Sequence, residues 1–301
     1  MENAVQEKDR TRYVLVFIAA IMAVVLIATF AAVFLLEPAD HAALKDEAGV
    51  HSASGEEIWE EEVLEEEDTS PASVLHLLPE NPYGHADFQY EGWFLKSTTA
   101  ECLSGIDVSA YQGDIDWVKV KESGVDFAII RLGYRGYESG KLVEDKFARA
   151  NLEGAAAAGI QLGAYFFSQA LSPNEAREEA QFVLEILKDY MLTMPVVFDW
   201  EHVDNENART NGMDPYVATD CAKAFLEVIE EAGYRPMMYF NSFQARKLFY
   251  LDQLMEYDFW LALYSDRMTF PYKVDMWQYT CTGTVPGVFG DVDVNVMFLH
   301  E

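Results

Sequence analysis

Between about residue 103 and residue 298 the chain alternates short apolar runs with helix-like stretches, and this alternation restricts the fold more than any other feature. The runs are GIDVSAY (105–111), FAIIRLGY (127–134), IQLGAYFFS (160–168), MPVVFDWE (194–201), RPMMYFNS (235–242), DFWLALYS (258–265), DMWQYT (275–280) and DVDVNVMF (291–298). Each is short and rich in aromatic or β-branched residues, so each reads as a strand. The stretches between the earlier runs carry helix-start signals. Ser172 and Pro173 open SPNEAREEAQFVLEIL, while Asp214 as cap, Pro215 in the first turn and Gly233 at the end frame a second helix. Strand followed by helix, repeated, implies parallel strands joined by helical crossovers. The last three runs leave too little sequence for full helices. The expected fold is therefore α/β: a modified (β/α) TIM-like barrel with eight strands and an irregular final third. No repeat of solenoid length is present.

Ahead of the barrel the chain has a different character. Residues 13–36, YVLVFIAAIMAVVLIATFAAVFLL, are uncharged and as a helix would extend about 36 Å, against about 30 Å for a bilayer core. They are expected to form a transmembrane helix, since the run is too long for the apolar part of a typical cleaved signal peptide. Lys8, Arg10 and Arg12 precede the run and Glu37 and Asp40 follow it, which places residues 1–12 in the cytoplasm and the remainder outside. Residues 37–74 hold 13 acidic residues and one lysine. Such a block repels itself and reads as a spacer. Within it, Ile58, Trp59, Val63 and Leu64 offer a short amphipathic helix to a partner as the alternative reading. Residues 75–100, with Pro79, Pro82 and several aromatics, form a lead-in that packs on the next domain. The expected organisation is 1–12 cytoplasmic, 13–36 membrane, 37–100 acidic tether and lead-in, and 101–301 catalytic domain.

Charge narrows the partners. Residues 1–100 carry 5 Lys/Arg against 19 Asp/Glu, and residues 101–301 carry 16 against 32. Neither part offers a basic footprint for nucleic acid. Three cysteines, Cys102, Cys221 and Cys281, show no zinc-type spacing. They read as structural, with a Cys102–Cys281 bridge left open.

Carboxylates sit where a parallel barrel gathers its chemistry, at the carboxyl ends of the strands. Asp107 lies in the first run, Asp199 and Glu201 end the fourth, and Asp291 and Asp293 lie in the last. Residues i and i+2 of a strand share a face, so Asp199 and Glu201 leave one side of the sheet about 6.6 Å apart along the backbone. Crowded carboxylates cannot all ionise easily, and at least one is expected to hold its proton to higher pH. One acid and one carboxylate are what hydrolysis of a glycosidic bond requires. Metal ligation by Asp199, Glu201, His202, Asp204 and Asp293 is the competing chemistry, although no H-x-H or H-E-x-x-H spacing accompanies it.

These residues, in their order and spacing, resemble glycoside hydrolase family 25, the lysozymes that cleave peptidoglycan. The motifs are GIDVSAYQGDIDW, AIIRLGYRGYESGKLVEDKF, GIQLGAYFFSQALSPNEAREEAQFVL, MPVVFDWE, AGYRPMMYFN, FWLALY and MWQYTCTGTVPGVFGDVDVN, over residues 103–298. The resemblance implies a muramidase cutting the β-1,4 bond between N-acetylmuramic acid and N-acetylglucosamine. Glu201 would be the acid/base. Asp199 would polarise the 2-acetamido group in a substrate-assisted, retaining mechanism, with a direct Asp nucleophile as the other option. Asp107 and Asp293 would tune the pair. Tyr165, Tyr239, Trp260 and Gln278 match strand-end positions and would bind substrate, whereas Arg131 reads either as a substrate ligand or as a structural ion pair. Many family members carry His where this chain has Phe166, so a difference in substrate detail or pH dependence is expected. No metal and no cofactor is implied.

The whole sequence thus reads as a single-pass, type II bacterial membrane protein holding a muramidase on an acidic tether of about 60 residues, with a reach on the order of 40–50 Å. Its partners would be peptidoglycan glycan strands and, through residues 13–36, the cytoplasmic membrane. The alternative is a membrane-tethered peptidoglycan-binding module or scaffold without significant hydrolysis.

Overall fold

The computed structural model describes residues 69–299. The expected cytoplasmic segment 1–12, the membrane helix 13–36 and the acidic stretch 37–68 lie outside the described residues. Among the described residues no helix is long and apolar enough to cross a membrane.

Eleven strands are present among them: β1 (Phe88–Glu91), β2 (Phe94–Ser97), β3 (Cys102–Val108), β4 (Phe127–Arg135), β5 (Leu142–Glu144), β6 (Gln161–Ser168), β7 (Val196–Trp200), β8 (Pro236–Asn241), β9 (Asp258–Ala262), β10 (Met276–Gly283) and β11 (Val292–Phe298). Eight of them close a barrel in the order β3-β11-β10-β9-β8-β7-β6-β4, with β4 returning to β3. Five α-helices accompany them: α1 (Trp117–Glu122), α2 (Ala148–Ala157), α3 (Pro173–Leu187), α4 (Pro215–Glu231) and α5 (Ser242–Lys247). The two expected helix starts are capped as their sequences imply. Ser172 accepts from the Glu175 N–H at α3, and Asp214 accepts from the N–H groups of Tyr216 and Val217 at α4.

Strand direction departs from the all-parallel expectation at one place. β11 runs antiparallel to both β10 and β3, whereas the other closing pairs of the barrel are parallel. The cause is loop length: residues 284–291 are too few for a crossover, which needs about a dozen or more, so the chain turns back.

Alternation along the strands sorts side chains into two layers. Ile106, Phe166, Phe198, Phe240, Trp277 and Val294 face outward into the layer between barrel and helices. Phe127, Ile129, Val197, Met237, Trp260, Met276 and Met297 fill the interior. Two glycines make room for that filling. A Cβ on Gly105 would stand 2.3 Å from the Phe127 ring, and one on Gly163 would stand 2.5 Å from Ile129 Cδ1.

The irregular third lacks covering helices, and residues 69–100 supply the cover. Tyr250 Oη donates to the Thr69 carbonyl at 2.6 Å, and Lys273 N–H donates to the Pro79 carbonyl at 2.8 Å. Tyr83 then stacks on Phe298 with centroids 4.3 Å apart. The β1–β2 hairpin follows along β10: Phe88 meets Trp277 edge-on at 5.1 Å, and Tyr90 meets Tyr279 at 6.4 Å. Leu95 is fully buried, and its N–H donates to Tyr279 Oη at 3.1 Å. The lead-in is therefore a strap that does the work of the missing helices.

All three cysteines are free thiols. A Cys102–Cys281 bridge is excluded by topology, because β11 lies between β3 and β10. Two strand spacings of about 4.8 Å exceed the reach of a disulfide, about 7 Å between Cα atoms.

Candidate active site

The interior changes character along the barrel axis. Following each strand by steps of two, Val197 gives way to Asp199 and then Glu201, Met237 to Tyr239, and Met276 to Gln278. In β11, which runs the other way, Met297 gives way to Asn295 and Asp293. One end of the barrel is thus plugged with apolar groups, and the carboxyl end of the parallel strands carries acids, amides and phenols. Asp107, Asp199, Glu201 and Asp293 all belong to that end.

Asp107 is held by an ordered set of donors. Its Oδ2 accepts from Gln278 Nε2 and from Asn295 Nδ2, each at 2.8 Å. The orientation of both amides is fixed from behind. Tyr239 Oη at 3.0 Å and Tyr264 Oη at 3.1 Å donate to Gln278 Oε1, while Trp260 Nε1 donates to Asn295 Oδ1 at 2.9 Å. Two amide donors on one carboxylate oxygen fix the orientation of the carboxylate. Asp293 faces Asp107 across the β3–β11 ladder, and Asp199 pairs in register with Tyr239 of β8. Glu201 lies one residue beyond the end of β7 and is half-buried.

Of the residues expected to bind substrate, Tyr239, Trp260 and Gln278 are 3%, 1% and 1% exposed, and their hydrogen bonds converge on the Asp107 support. Tyr165 and Tyr264 are only partly buried. Burial pushes the Tyr165 hydroxyl well above its ordinary pKa; Arg131 pulls it down, while Asp107, Asp199 and Asp293 push it further up. Tyr239 and Tyr264 are raised by burial too, with Glu201 among the charges adding to it in each. All three phenols therefore stay protonated and serve as hydrogen-bond donors toward the acidic end, not as bases.

Arg131 resolves to an ion pair. Its Nε donates to Asp145 Oδ2 at 2.8 Å with both groups buried, and its guanidinium lies 5.3 Å from the Tyr111 ring and 5.6 Å from the Tyr134 ring. His202 and Asp204 are exposed beyond the strand end. Among the described residues no group of three or more His, Cys, Asp and Glu is placed to hold a metal ion.

Phe166 lies away from the acidic end. It is fully buried on the outer face of β6, edge-on to Phe182 of α3 at 5.9 Å, while its neighbour Tyr165 faces inward. Its side chain therefore contributes to helix packing and does not enter the acidic end.

Two contributors were not singled out in the sequence, Asn295 and Tyr264. Asn295 stands two residues from Asp293 and Tyr264 four from Trp260, and that even spacing along the chain was the signal available.

Comparison with known proteins agrees with this architecture. The profile of glycosyl hydrolases family 25 matches residues 106–288. Lysozyme M1 of Streptomyces globisporus is 30% identical over 217 residues, covering 64% of this chain and 67% of that one. The modular autolysin LytC of Streptococcus pneumoniae, solved with a synthetic peptidoglycan ligand, superposes with a TM-score of 0.57 at 28% identity over 66% of this chain. Only 47% of LytC is covered, so the present chain spans about half its length. A family 25 glycosyl hydrolase of Bacillus anthracis shares the fold with a TM-score of 0.57 at 24% identity, over 71% of this chain and 95% of that one. The matched span runs from the strand that carries Asp107 to the loop leading into Asp293, more than half of the sequence, and the chain accordingly belongs to glycosyl hydrolases family 25.

Proposed function

We propose that this chain is a muramidase that hydrolyses the β-1,4 bond between N-acetylmuramic acid and N-acetylglucosamine in peptidoglycan. The observation that carries the reading is the placement of Asp199 and Glu201 two residues apart on the inward face at the end of β7, beside the facing pair Asp107 and Asp293. LytC, the relative solved with a synthetic peptidoglycan ligand, supports the same substrate class.

Glu201, the more accessible of the two β7 acids, protonates the leaving glycosidic oxygen. The carbonyl oxygen of the substrate's 2-acetamido group attacks the anomeric carbon, and the Asp199 carboxylate stabilises the positive charge that develops on that group. Glu201, now ionised, takes a proton from water as the water opens the cyclic intermediate, so configuration is retained. Asp107 and Asp293 add negative potential where the sugar ring becomes oxocarbenium-like. Tyr165 and Tyr264 offer their hydroxyls to the sugar, while Tyr239, Trp260 and Gln278 act through Asp107.

The location follows from the first 68 residues. The uncharged run 13–36, with basic residues before it and acidic residues after it, supports a single-pass anchor with the barrel outside a bacterial cytoplasmic membrane. Because the strap 69–100 packs on the barrel, the stretch between the apolar run and the folded unit shortens to residues 37–68. Cleavage would be confined to glycan close to the membrane. Recovery of the mature protein in the medium without residues 13–36 would refute the anchor.

Purified peptidoglycan digested by the full-length chain, reduced with borohydride and analysed by mass spectrometry, tests the reaction. Muramitol ends from the wild type and none from Glu201→Gln are expected. Retained binding with no released fragment would replace the hydrolase by a glycan-binding module.

A further inference from the structure

The residue assigned as acid/base sits just past the last ladder position of its strand. β7 pairs with β8 through Asp199 and with β6 through Trp200, and there the ladder stops. Past it the carbonyls of Trp200 and Glu201 point to opposite flanks of the strand, toward the ends of β8 and β6, and buried carbonyls there require a partner. Two glutamine side chains provide it, one from each flanking element.

Gln169, at the end of β6 and fully buried, donates through Nε2 to the Glu201 carbonyl at 2.8 Å and to the Ser168 carbonyl at 2.9 Å. Its Oε1 accepts from Thr210 Oγ1 at 2.8 Å, which settles which way the amide points. Gln244, 1% exposed in the first turn of α5, donates through Nε2 to the Trp200 carbonyl. Its Oε1 accepts from the Asn241 N–H at 2.8 Å while its own N–H donates to Asn241 Oδ1 at 3.0 Å, a reciprocal cap that locks the helix start. Behind Gln169 the structure is equally fixed. Ser168 Oγ donates to Glu179 at 2.6 Å, and Arg135 Nε donates to the other oxygen of Glu179 at 2.7 Å, all buried.

We infer that Gln169 and Gln244 are paired positioning residues for Glu201: they replace the missing strand ladder and hold consecutive carbonyls, so that a residue outside the sheet keeps strand-like precision. The inference rests on the assignment of Glu201 as acid/base. Both amides bind backbone carbonyls, that of Glu201 itself and that of the residue before it, so both act through the backbone. Displacement of a catalytic group by about 1 Å costs on the order of a hundredfold in rate, and loss of either carbonyl clamp should appear in kcat and not in KM.

Full-length Gln169→Met and Gln244→Met keep length and remove the donor. Turnover of a soluble tetrasaccharide of alternating N-acetylglucosamine and N-acetylmuramic acid is expected to fall about ten- to a hundredfold in kcat with KM within about twofold. Thr210→Val, which only frees the Gln169 amide to rotate, should give a smaller loss of the same kind. Combined with Gln169→Met it should add nothing further. Folded variants with wild-type kcat, or losses seen only in KM or melting temperature, would overturn the inference. If Gln169→Met fails to fold, Thr210→Val reads the same interaction. A Glu201→Gln enzyme that still turns over would instead reject the assignment of Glu201, leaving a different pattern from the failure of the clamp alone.

Discussion

Asp293 of β11 lies directly opposite Asp107 of β3 in the antiparallel ladder, so two carboxylates project side by side from neighbouring strands into the acidic end of the barrel. Directly opposed like charges destabilise a sheet by a few tenths to about 1 kcal/mol. Asp107 is offset by two amide donors at 2.8 Å, and in the proposed mechanism the field of the pair serves the reaction. Asp293→Asn is accordingly expected to raise the urea midpoint by an amount equivalent to about 0.5 kcal/mol while lowering kcat. A variant that is both less stable and fully active would contradict this trade.

Gln278 joins three side chains, accepting from Tyr239 and Tyr264 and donating to Asp107. Gln278→Leu removes all three bonds at once and leaves buried polar atoms behind. A loss of at least about 2 kcal/mol in unfolding free energy is expected. Turnover should drop as well, because Asp107 loses the Gln278 donor. Chemical denaturation and steady-state kinetics on the same preparation check both.

The strap is part of the folded unit, so its side chains should count as core. Leu95, fully buried against the outer face of the final strands, is the most direct probe. Leu95→Ala is expected to cost about 2–4 kcal/mol, as for other buried leucines. A change below about 0.5 kcal/mol would mean that the hairpin only rests on the barrel.

Glu179 carries a pH signature. Burial pushes its carboxyl up to about 7, against the pull of Ser168 and Arg135. Between its ordinary value of 4.5 and about 7, the folded chain keeps a proton that the unfolded chain has released. Its contribution therefore favours folding most below pH 4.5 and is lost as pH rises to 7, by at most about 3 kcal/mol. Unfolding free energies at pH 5 and pH 7.5 for wild type and Glu179→Gln test this through the difference in slope. Parallel slopes would show that the Arg135 pair holds Glu179 ionised throughout.

Much of the architecture was readable because strand and helix leave different periods. The eight apolar runs became the eight barrel strands, and Ser172 and Asp214 capped the helices they announced. The meeting of Asp199 with Glu201 on one face needed only the period of two. Other features had no comparable signal. The antiparallel course of β11 is set by the brevity of residues 284–291, a length effect and not a residue pattern. The strap mixes prolines with aromatics whose partners lie far along the chain, as Tyr83 finds Phe298. Gln169 and Gln244 bind backbone carbonyls, which are the same at every residue, so nothing in sequence distinguishes them from solvated amides.

Closure of the barrel joins its earliest strand to its latest. Gln278 and Asn295 reach Asp107 across separations of 171 and 188 residues, so the carboxylate acquires these two donors only after residue 295 has been made. Contacts of such long range are costly to close and form late. During synthesis the nascent chain therefore carries Asp199 and Glu201 without the facing Asp107–Asp293 wall, which is assembled only when β11 docks beside β3.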